Sequence, residues 1–133
     1  MLCLDTNVVI ALIGRRDHRI AERFRALAGN DIALPVHVAI ELWYGVWSST
    51  RMRENAERLA IFFNAPIAVL PFDADDAREA GEIRAHLKRA GTPVGAYDVL
   101  IAAQARRRGA TLATANAVEF ARVPGLMVED WTA

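Results

Sequence analysis

Residues 2–12 read LCLDTNVVIAL, and this stretch decides the fold because it places a single acid inside an apolar run. The residues before Asp5 are short and apolar throughout, which predicts a buried strand. Apolar residues resume after Thr6 and Asn7, either of which can cap a helix. A carboxylate at such a junction needs hydrogen bonds, a cation or a metal, because an unpaired buried charge is very costly.

Strands and helices alternate along the rest of the chain. Short apolar strands are predicted at residues 1–4, 32–34, 67–70, 111–113 and 126–128. Apolar spacing and breaker residues predict helices over 18–28, around 39–45, over 52–63, from an Asp73 cap to residue 90, and over 97–108. Alternation implies a parallel sheet, and strands that are apolar throughout imply helices on both faces. We therefore predict one α/β domain over residues 1–133, with four to five strands flanked by helices.

The composition excludes few partners and fits a reducing compartment. The formal net charge is zero, so total charge does not indicate a nucleic-acid partner. Cys3 is the one cysteine, which rules out an intrachain disulfide and fits a reducing environment. No basic leader precedes the apolar start, and no uninterrupted apolar run is long enough to span a bilayer. We expect neither a signal peptide nor a membrane segment.

Basic residues are grouped rather than spread evenly. The groups are Arg15-Arg16, His18-Arg19, Arg23 with Arg25, Arg51 with Arg53, and Arg106-Arg107-Arg108. Such groups are typical of solvated helix faces and of the last turns of helices, where cations interact favourably with the helix dipole. They are also typical of phosphate-binding surfaces. The sequence leaves both interpretations open.

Four polar side chains fall where a parallel α/β sheet binds ligands, beyond the carboxyl ends of its strands. Asp5 ends the first strand and Asn116 follows the fourth. Asp98 opens a helix, and Glu41 lies on a mostly apolar one. Acids that converge on one rim would form an oxygen-lined pocket of the kind that Mg²⁺ or Mn²⁺ requires.

Each acid also has a structural interpretation. Asp5 and Asp98 can cap the helices that follow them. Glu41 lies in mid-helix, where no cap is needed, and its main alternative is an ion pair with a buried arginine. The acids within residues 73–76 are interpreted as ordinary first-turn charges. No phosphate-binding glycine loop, dinucleotide fingerprint, nucleophile elbow or histidine metal spacing is found in the sequence.

Four segments together resemble the PIN domain and, more narrowly, the VapC-type toxin ribonucleases of prokaryotic toxin–antitoxin modules. The segments are LDTNVVIAL at 4–12, AIELWYG at 39–45, GTPVGAYDVLIAAQAR at 91–106 and ATLATANAVEFARVPGLMVEDW at 110–131. Each motif alone is weak, whereas four in this order cover nearly the whole chain. The resemblance implies a PIN-like α/β/α sandwich and metal-dependent cleavage of RNA.

Carried over by motif, the resemblance implies that Asp5, Glu41, Asp98 and Asn116 hold Mg²⁺ or Mn²⁺, and that the Thr6 hydroxyl helps to orient the site. Asn116 departs from the fuller acidic pattern, because many PIN domains have Asp there. An amide supplies a neutral carbonyl ligand, so a second ion would be held less firmly. Glu119, one helical turn further on, is expected to compensate.

The expected reaction is phosphodiester hydrolysis by water that a metal activates, with one ion or two about 4 Å apart. Such activation needs no histidine base. Basic side chains on the rim would hold the RNA backbone, and Arg15, Arg16 and Arg19 are the candidates.

The resemblance also implies a VapB-like antitoxin, a homodimer and the cytoplasm of a prokaryotic cell. Two alternatives stay open at this point. One is a non-catalytic PIN scaffold that binds RNA or protein, which Asn116 favours. The other is a DNA-directed nuclease.

Overall fold

A five-stranded parallel sheet forms the centre of the computed structural model, which describes residues 1–14, 17–27 and 31–132. The strands are β1 (Leu2–Leu4), β2 (Ile32–Pro35), β3 (Ala68–Leu70), β4 (Thr111–Thr114) and β5 (Met127–Asp130). Their order in the sheet is β3-β2-β1-β4-β5, and all four pairings are parallel. The predicted parallel sheet is confirmed, with five strands.

Helices connect the strands, as the sequence predicted. They are α1 (Thr6–Gly14), α2 (His18–Ala26), α3 (Val36–Trp47), α4 (Met52–Phe63), α5 (Ala74–Ala90), α6 (Ala96–Arg107) and the short α7 (Ala117–Phe120). Helix α3 begins directly after β2 and includes the predicted helical residues 39–45, and α7 was not predicted. Residue 28, where the helix over 18–28 was predicted to end, lies outside the described residues. Within the described part of the chain, no helix combines the length and apolar character needed to cross a membrane.

The order of the strands creates a switch point between β1 and β4. From β1 the chain moves outward in one direction through β2 and β3, and it then returns to place β4 and β5 on the other side. In open parallel sheets, a crevice forms at such a point beyond the carboxyl ends of the strands, which we call the carboxyl edge. The Asp5 amide donates to the Ala113 carbonyl (2.9 Å), so β1 and β4 stay paired up to this crevice.

The core lies around the three inner strands. Every residue of β1 and β2 is buried, and Cys3 is fully enclosed, so that burial raises the pKa of its thiol to about 11. The prediction that helices cover all strands is wrong at the sheet margins. Ala68 and Val69 of β3 are exposed, and exposed residues alternate along β5. The helices pack over the centre of the sheet and leave its outer strands partly open.

Gln104 ties α6 to the carboxyl edge of the sheet. Its side chain is fully buried. Its Oε1 accepts from the Val36 amide (3.1 Å), and its Nε2 donates to the carbonyls of Leu70 (2.8 Å) and Pro71 (3.3 Å). One side-chain amide thereby forms hydrogen bonds with backbone groups at the start of α3 and at the end of β3. Since α3 carries Glu41 and α6 carries Asp98, this contact sets the relative position of two predicted site residues.

The start of α5 differs from the sequence-based interpretation. Asp73 caps the helix in a capping box with Asp76, as its position suggested. Asp76, however, is not an ordinary exposed first-turn charge, because its side chain is fully buried. Arg107 Nε and Arg108 Nη1 donate to its Oδ1 at 2.7 and 2.8 Å. Burial alone would raise the pKa of Asp76, but these two hydrogen bonds and the Asp73 amide hold it well below its ordinary value.

The three arginines at residues 106–108, which we call the arginine cluster, are all held in internal ion pairs. Arg106 pairs with Glu79 and Glu82, Arg107 also pairs with Asp73, and Arg108 pairs with Asp76. Their side chains are at most 28% exposed. This cluster is therefore neither a solvated helix face nor a free phosphate-binding surface; it fastens the end of α6 to α5.

Candidate active site

Asp5 lies at the junction between β1 and α1, with 6% of its surface exposed. Its carbonyl accepts from the Val9 amide (3.2 Å), so Asp5 itself occupies the cap position of α1. The expectation that Thr6 or Asn7 caps this helix is therefore wrong, since Thr6 is already its first residue. The chain enters the helix without an intervening loop, and this places the Asp5 carboxylate at the carboxyl edge.

Two hydrogen bonds fix the Asp5 carboxylate. The Thr6 amide donates to Oδ1 (2.8 Å), and the buried Thr114 hydroxyl donates to Oδ2 (2.7 Å). Thr114 Oγ1 in turn accepts from the Asn116 amide (2.9 Å). Burial raises the pKa of Asp5, and the two hydrogen bonds oppose that rise. Sequence reasoning missed Thr114, whose signal was a hydroxyl residue that ends the strand beside β1.

Glu119 links the loop after β4 to the start of α6. Asn116 Nδ2 donates to its Oε2 (2.6 Å), and the Gly95 amide donates to its Oε1 (3.1 Å). These two hydrogen bonds lower the pKa of Glu119, and the Arg122 guanidinium has a weaker effect in the same direction. Glu119 therefore stays ionised at the carboxyl edge. The amide of Asn116 is turned towards this carboxylate.

Asp98 shows that the carboxylates at this edge are close enough to interact. Burial and the negative charges of Asp5, Glu119 and Glu41 raise its pKa to about 6. We call these four residues the acid cluster. Asp98 Oδ2 also lies against the backbone of Gly95, where an added Cβ would be 3.6 Å away. The elements that gather the cluster are the end of β1, α3, the first turn of α6, and α7.

The structural interpretations of Asp98 and Glu41 are not supported. Within residues 1–14, 17–27 and 31–132, neither carboxylate forms a hydrogen bond or an ion pair. Gly95 takes the cap position of α6, and Asp98 makes no capping hydrogen bond. Glu41 is half-buried, and with Arg58 and other residues it lines a cavity of about 280 Å³ without pairing with that arginine.

The donor set of the acid cluster fits a hard divalent cation. Its ligand atoms are all oxygens, which Mg²⁺ and Mn²⁺ prefer, and the mutual repulsion that raises the pKa of Asp98 is what a cation would relieve. The Thr6 hydroxyl adds a buried oxygen with no hydrogen-bond partner among the described residues. In the same part of the chain, no three Asp, Glu, His or Cys side chains are already gathered around one ion position.

Of the three arginines predicted to hold the RNA backbone, Arg19 alone lies within the described residues. Arg15 and Arg16 are outside the described residues. Arg19 lies in the first turn of α2, exposed, with its Nε 3.8 Å from Asp17. Arg122, which the sequence did not indicate, donates to the Pro93 carbonyl (2.9 Å), and its charge helps to lower the pKa of Glu119 in the acid cluster.

Comparison with known proteins agrees with this geometry. The PIN domain family model matches residues 2–126. The tRNA(fMet)-specific endonuclease VapC of Salmonella typhimurium is 39% identical over 96% of both chains, and ribonuclease VapC2 of Rickettsia felis is 36% identical over 96% of both.

One chain in each of two solved complexes shares the fold over nearly its whole length. VapBC2 from Rickettsia felis, bound to a DNA fragment from its promoter, has a TM-score of 0.91 and 34% identity, with 98% of each chain covered. DNA-bound VapBC from Salmonella typhimurium has a TM-score of 0.88 and 38% identity, with 98% of this chain and 97% of the other covered. The chain therefore belongs to the PIN-domain family, within its group of VapC ribonucleases.

Proposed function

We propose that this chain is a metal-dependent endoribonuclease that acts as the toxin of a VapBC-like toxin–antitoxin pair. The observation that carries the proposal is the acid cluster, in which Asp5, Glu41 and Asp98 have no cationic partner among the described residues. Carboxylates kept unpaired at the switch point of a parallel sheet indicate a binding site rather than a structural one. The names of the VapC relatives support ribonuclease activity.

In this proposal, Asp5, Glu41, Asp98 and Asn116 hold Mg²⁺ or Mn²⁺. When bound, the ion would supply Lewis-acid activation of a water and neutralisation of phosphate charge. The chain contributes the fixed orientation of its oxygens. Thr114 holds Asp5 from the side of β4 and at the same time anchors the Asn116 backbone. Glu119 orients the Asn116 amide, and its own charge makes up for the carboxylate that Asn116 lacks.

The substrate that we propose is tRNA(fMet), because the Salmonella typhimurium relative is named as a tRNA(fMet)-specific endonuclease. A VapB-class antitoxin is the proposed protein partner, since the similar solved structures are VapBC complexes. Homodimerisation, a cytoplasmic location and a single domain over residues 1–133 stay predictions. Arg19 stays a candidate for RNA contact, and Arg122 joins it because it lies beside Glu119.

A non-catalytic PIN scaffold is the second candidate. Asn116 favours it, and so does the finding that no three potential ligands among the described residues are already gathered around one ion position. Calorimetry with Mn²⁺ separates the two candidates. Heat of binding at or below millimolar metal supports the nuclease, and its absence supports the scaffold.

The test of the nuclease is cleavage of a tRNA(fMet) transcript with Mg²⁺, with Mn²⁺ and with EDTA, by the wild type and two matched variants. Asp98→Asn should lose more activity than the roughly 100-fold that changes outside a metal's ligand shell cost. Asp75→Asn makes the same chemical change in the exposed first turn of α5 and should cleave normally. Full cleavage by Asp98→Asn, or cleavage that persists in EDTA, would refute the assignment. Parallel reactions with DNA of the same sequence test the DNA-directed alternative.

A further inference from the structure

Three aromatic side chains pack together at the carboxyl edge of the sheet. The His37 ring lies edge-on to Phe72, with 5.3 Å between ring centroids and an interplanar angle of 83°. The same ring lies against Tyr97, at 5.6 Å and 43°. These residues, which we call the aromatic cluster, come from the first turn of α3, the segment between β3 and α5, and the start of α6.

The aromatic cluster borders the acid cluster at two points. Tyr97 directly precedes Asp98 in the first turn of α6. His37 precedes Glu41 by four residues on α3, and residues at this spacing are neighbours on one helix face. A chain that brings a phosphodiester to Asp98 and Glu41 would approach the same edge of the sheet on which these rings lie.

Tyr97 is presented to solvent on a rigid support. It is 51% exposed, whereas His37 and Phe72 are half-buried behind it. Nδ1 of His37 is buried and has no hydrogen-bond partner among the described residues, so packing against the two neighbouring rings orients the imidazole. An aromatic ring that is fixed before binding loses little conformational entropy when a ligand stacks on it.

The carboxylates at this edge disfavour RNA when no metal is bound. The acid cluster repels phosphates, and the nearest basic group by sequence, the arginine cluster, is held in ion pairs with α5. Stacking of a base on an aromatic ring does not depend on these charges, and it is a main source of affinity in the binding of single-stranded nucleic acids.

We propose that Tyr97, supported by His37 and Phe72, is a stacking subsite for an unpaired nucleobase next to the phosphate that is cut. The proposal rests on the proposed ribonuclease function and names a contact that selects unpaired over paired RNA. A base within a duplex cannot leave its neighbours without cost, so the subsite favours loops and strand ends.

The binding test uses a fluorescein-labelled tRNA(fMet) transcript in EDTA, where metal-dependent cleavage cannot occur. Tyr97→Leu should weaken binding about tenfold, because a single base stack is lost. Tyr97→Phe keeps the ring and should bind within about twofold of the wild type. Trp47→Leu removes another exposed aromatic, 61% exposed at the other end of α3, and should bind like the wild type. Thermal unfolding of each variant verifies that the surface changes leave the fold intact.

Kinetics with Mn²⁺ distinguish a role of Tyr97 in RNA binding from a purely structural role. Tyr97→Leu should raise KM for tRNA(fMet) while kcat stays near the wild-type value, since stacking contributes to binding. A fully duplex RNA of equal length should compete poorly with the labelled transcript for the wild type and about tenfold better for Tyr97→Leu, because only the transcript loses a stacking contact.

The results separate this proposal from the proposed function. Wild-type binding and KM in Tyr97→Leu would overturn the subsite, even if Asp98→Asn abolishes cleavage. Equal losses in Tyr97→Phe and Tyr97→Leu would also overturn it, because the hydroxyl would then be the contact. Tyr97-dependent binding without any cleavage would support the subsite and refute the nuclease. Absence of wild-type binding in EDTA would overturn the subsite, because stacking does not require the metal, whereas the cleavage assay alone would decide the nuclease.

Discussion

The two ends of helix α6 carry charged groups in opposite arrangements. Its first turn brings Asp98 into the acid cluster, where burial and three other carboxylates raise its pKa to about 6 and none of the described cations pairs with it. Its last turn starts the arginine cluster, in which every guanidinium meets a carboxylate of α5 or its cap. The first arrangement costs folding energy and leaves the Asp98 carboxylate without a cation among the described residues; the second contributes folding energy and pairs every charge.

The pKa values of the carboxyl groups at the two ends of α6 are shifted in opposite directions. A raised carboxyl pKa means that the folded protein disfavours the ionised form, as at Asp98. A lowered pKa means that the folded protein favours it, as at Asp76. Strongly perturbed groups occur both in functional sites and in structural ion-pair networks, and the partners distinguish the two cases here.

The largest expected effect is on catalysis, from neutralising Asp98. Asp98→Asn should lose more than about 100-fold in cleavage of tRNA(fMet), because the proposed metal site loses a carboxylate charge. The same change should raise the midpoint of thermal unfolding in EDTA at pH 7.5, since it removes repulsion from three carboxylates. A lower midpoint would show that the Asp98 charge stabilises the fold, and the contrast between the two ends of α6 would fail.

The same substitution at the other end should have the opposite effects. Asp76→Asn removes the buried carboxylate that pairs with Arg107 and Arg108. Breaking a buried ion pair by removing one partner costs about 3 kcal/mol or more in unfolding free energy. Urea unfolding measures this loss. Cleavage per folded molecule should stay within about twofold of the wild type. The exposed change Asp75→Asn is the control, and a loss below about 1 kcal/mol in Asp76→Asn would remove the structural role.

Metal affinity should depend on pH through Asp98. Because its pKa is about 6 in the metal-free protein, the carboxyl is mostly protonated at pH 5 and mostly ionised at pH 7. Cation binding requires the ionised form, so Mn²⁺ affinity should fall about tenfold between pH 7 and pH 5. Calorimetry in buffers of different ionisation heat would detect the released proton. Equal affinity at both pH values would mean that Asp98 is not a ligand.

Stability should depend on pH with opposite signs at the two ends. The pKa of Asp76 is lowered on folding, so its contribution is present above about pH 4, the unfolded pKa, and is lost as pH falls below it. The pKa of Asp98 is raised, so metal-free stability should decline as pH rises from about 4 to about 6. Urea midpoints of Asp76→Asn should fall less than those of the wild type below pH 4. Parallel curves would contradict the assignment to Asp76.

The smallest effect is expected from Asn116→Asp. The new carboxylate would face Glu119 Oε2, which now accepts a hydrogen bond from the Asn116 amide at 2.6 Å. Metal-free stability should fall slightly, while Mn²⁺ affinity should rise several-fold, because a neutral ligand has become anionic. Glu119→Gln is the comparison, since it removes charge from the same pair. Weaker Mn²⁺ binding in Asn116→Asp would show that the existing hydrogen bond matters more than added charge.

The sequence predicted the parts of the fold that depend on local pattern. The strands, most helices and the placement of Asp5 and Asn116 follow from apolar runs and from the rule that ligands bind beyond parallel strand ends. The rule also places Asp98, because its helix begins at that edge. The exposed margins at β3 and β5 were missed because a short apolar run does not show how many helices cover it.

Contacts between distant segments were not predictable in the same way. Asp76 belongs to a first turn that is rich in acids, and only the arrival of Arg107 and Arg108 from 31 and 32 residues away buries it. Thr114 reaches Asp5 across 109 residues through the pairing of β4 with β1. The sequence around a hydroxyl or a carboxylate looks the same whether the partner of that group is water or a remote side chain.

Cys3 gives the chain a built-in reporter of strand opening. The only thiol in the sequence sits in the centre of β1, two residues before Asp5, and it is fully enclosed with a pKa raised to about 11. Thiolate is the reactive form, so alkylating agents and oxidants meet an inert group for as long as β1 stays in the sheet. The rate at which this thiol is labelled therefore measures how often the strand that holds Asp5 detaches, without any introduced probe.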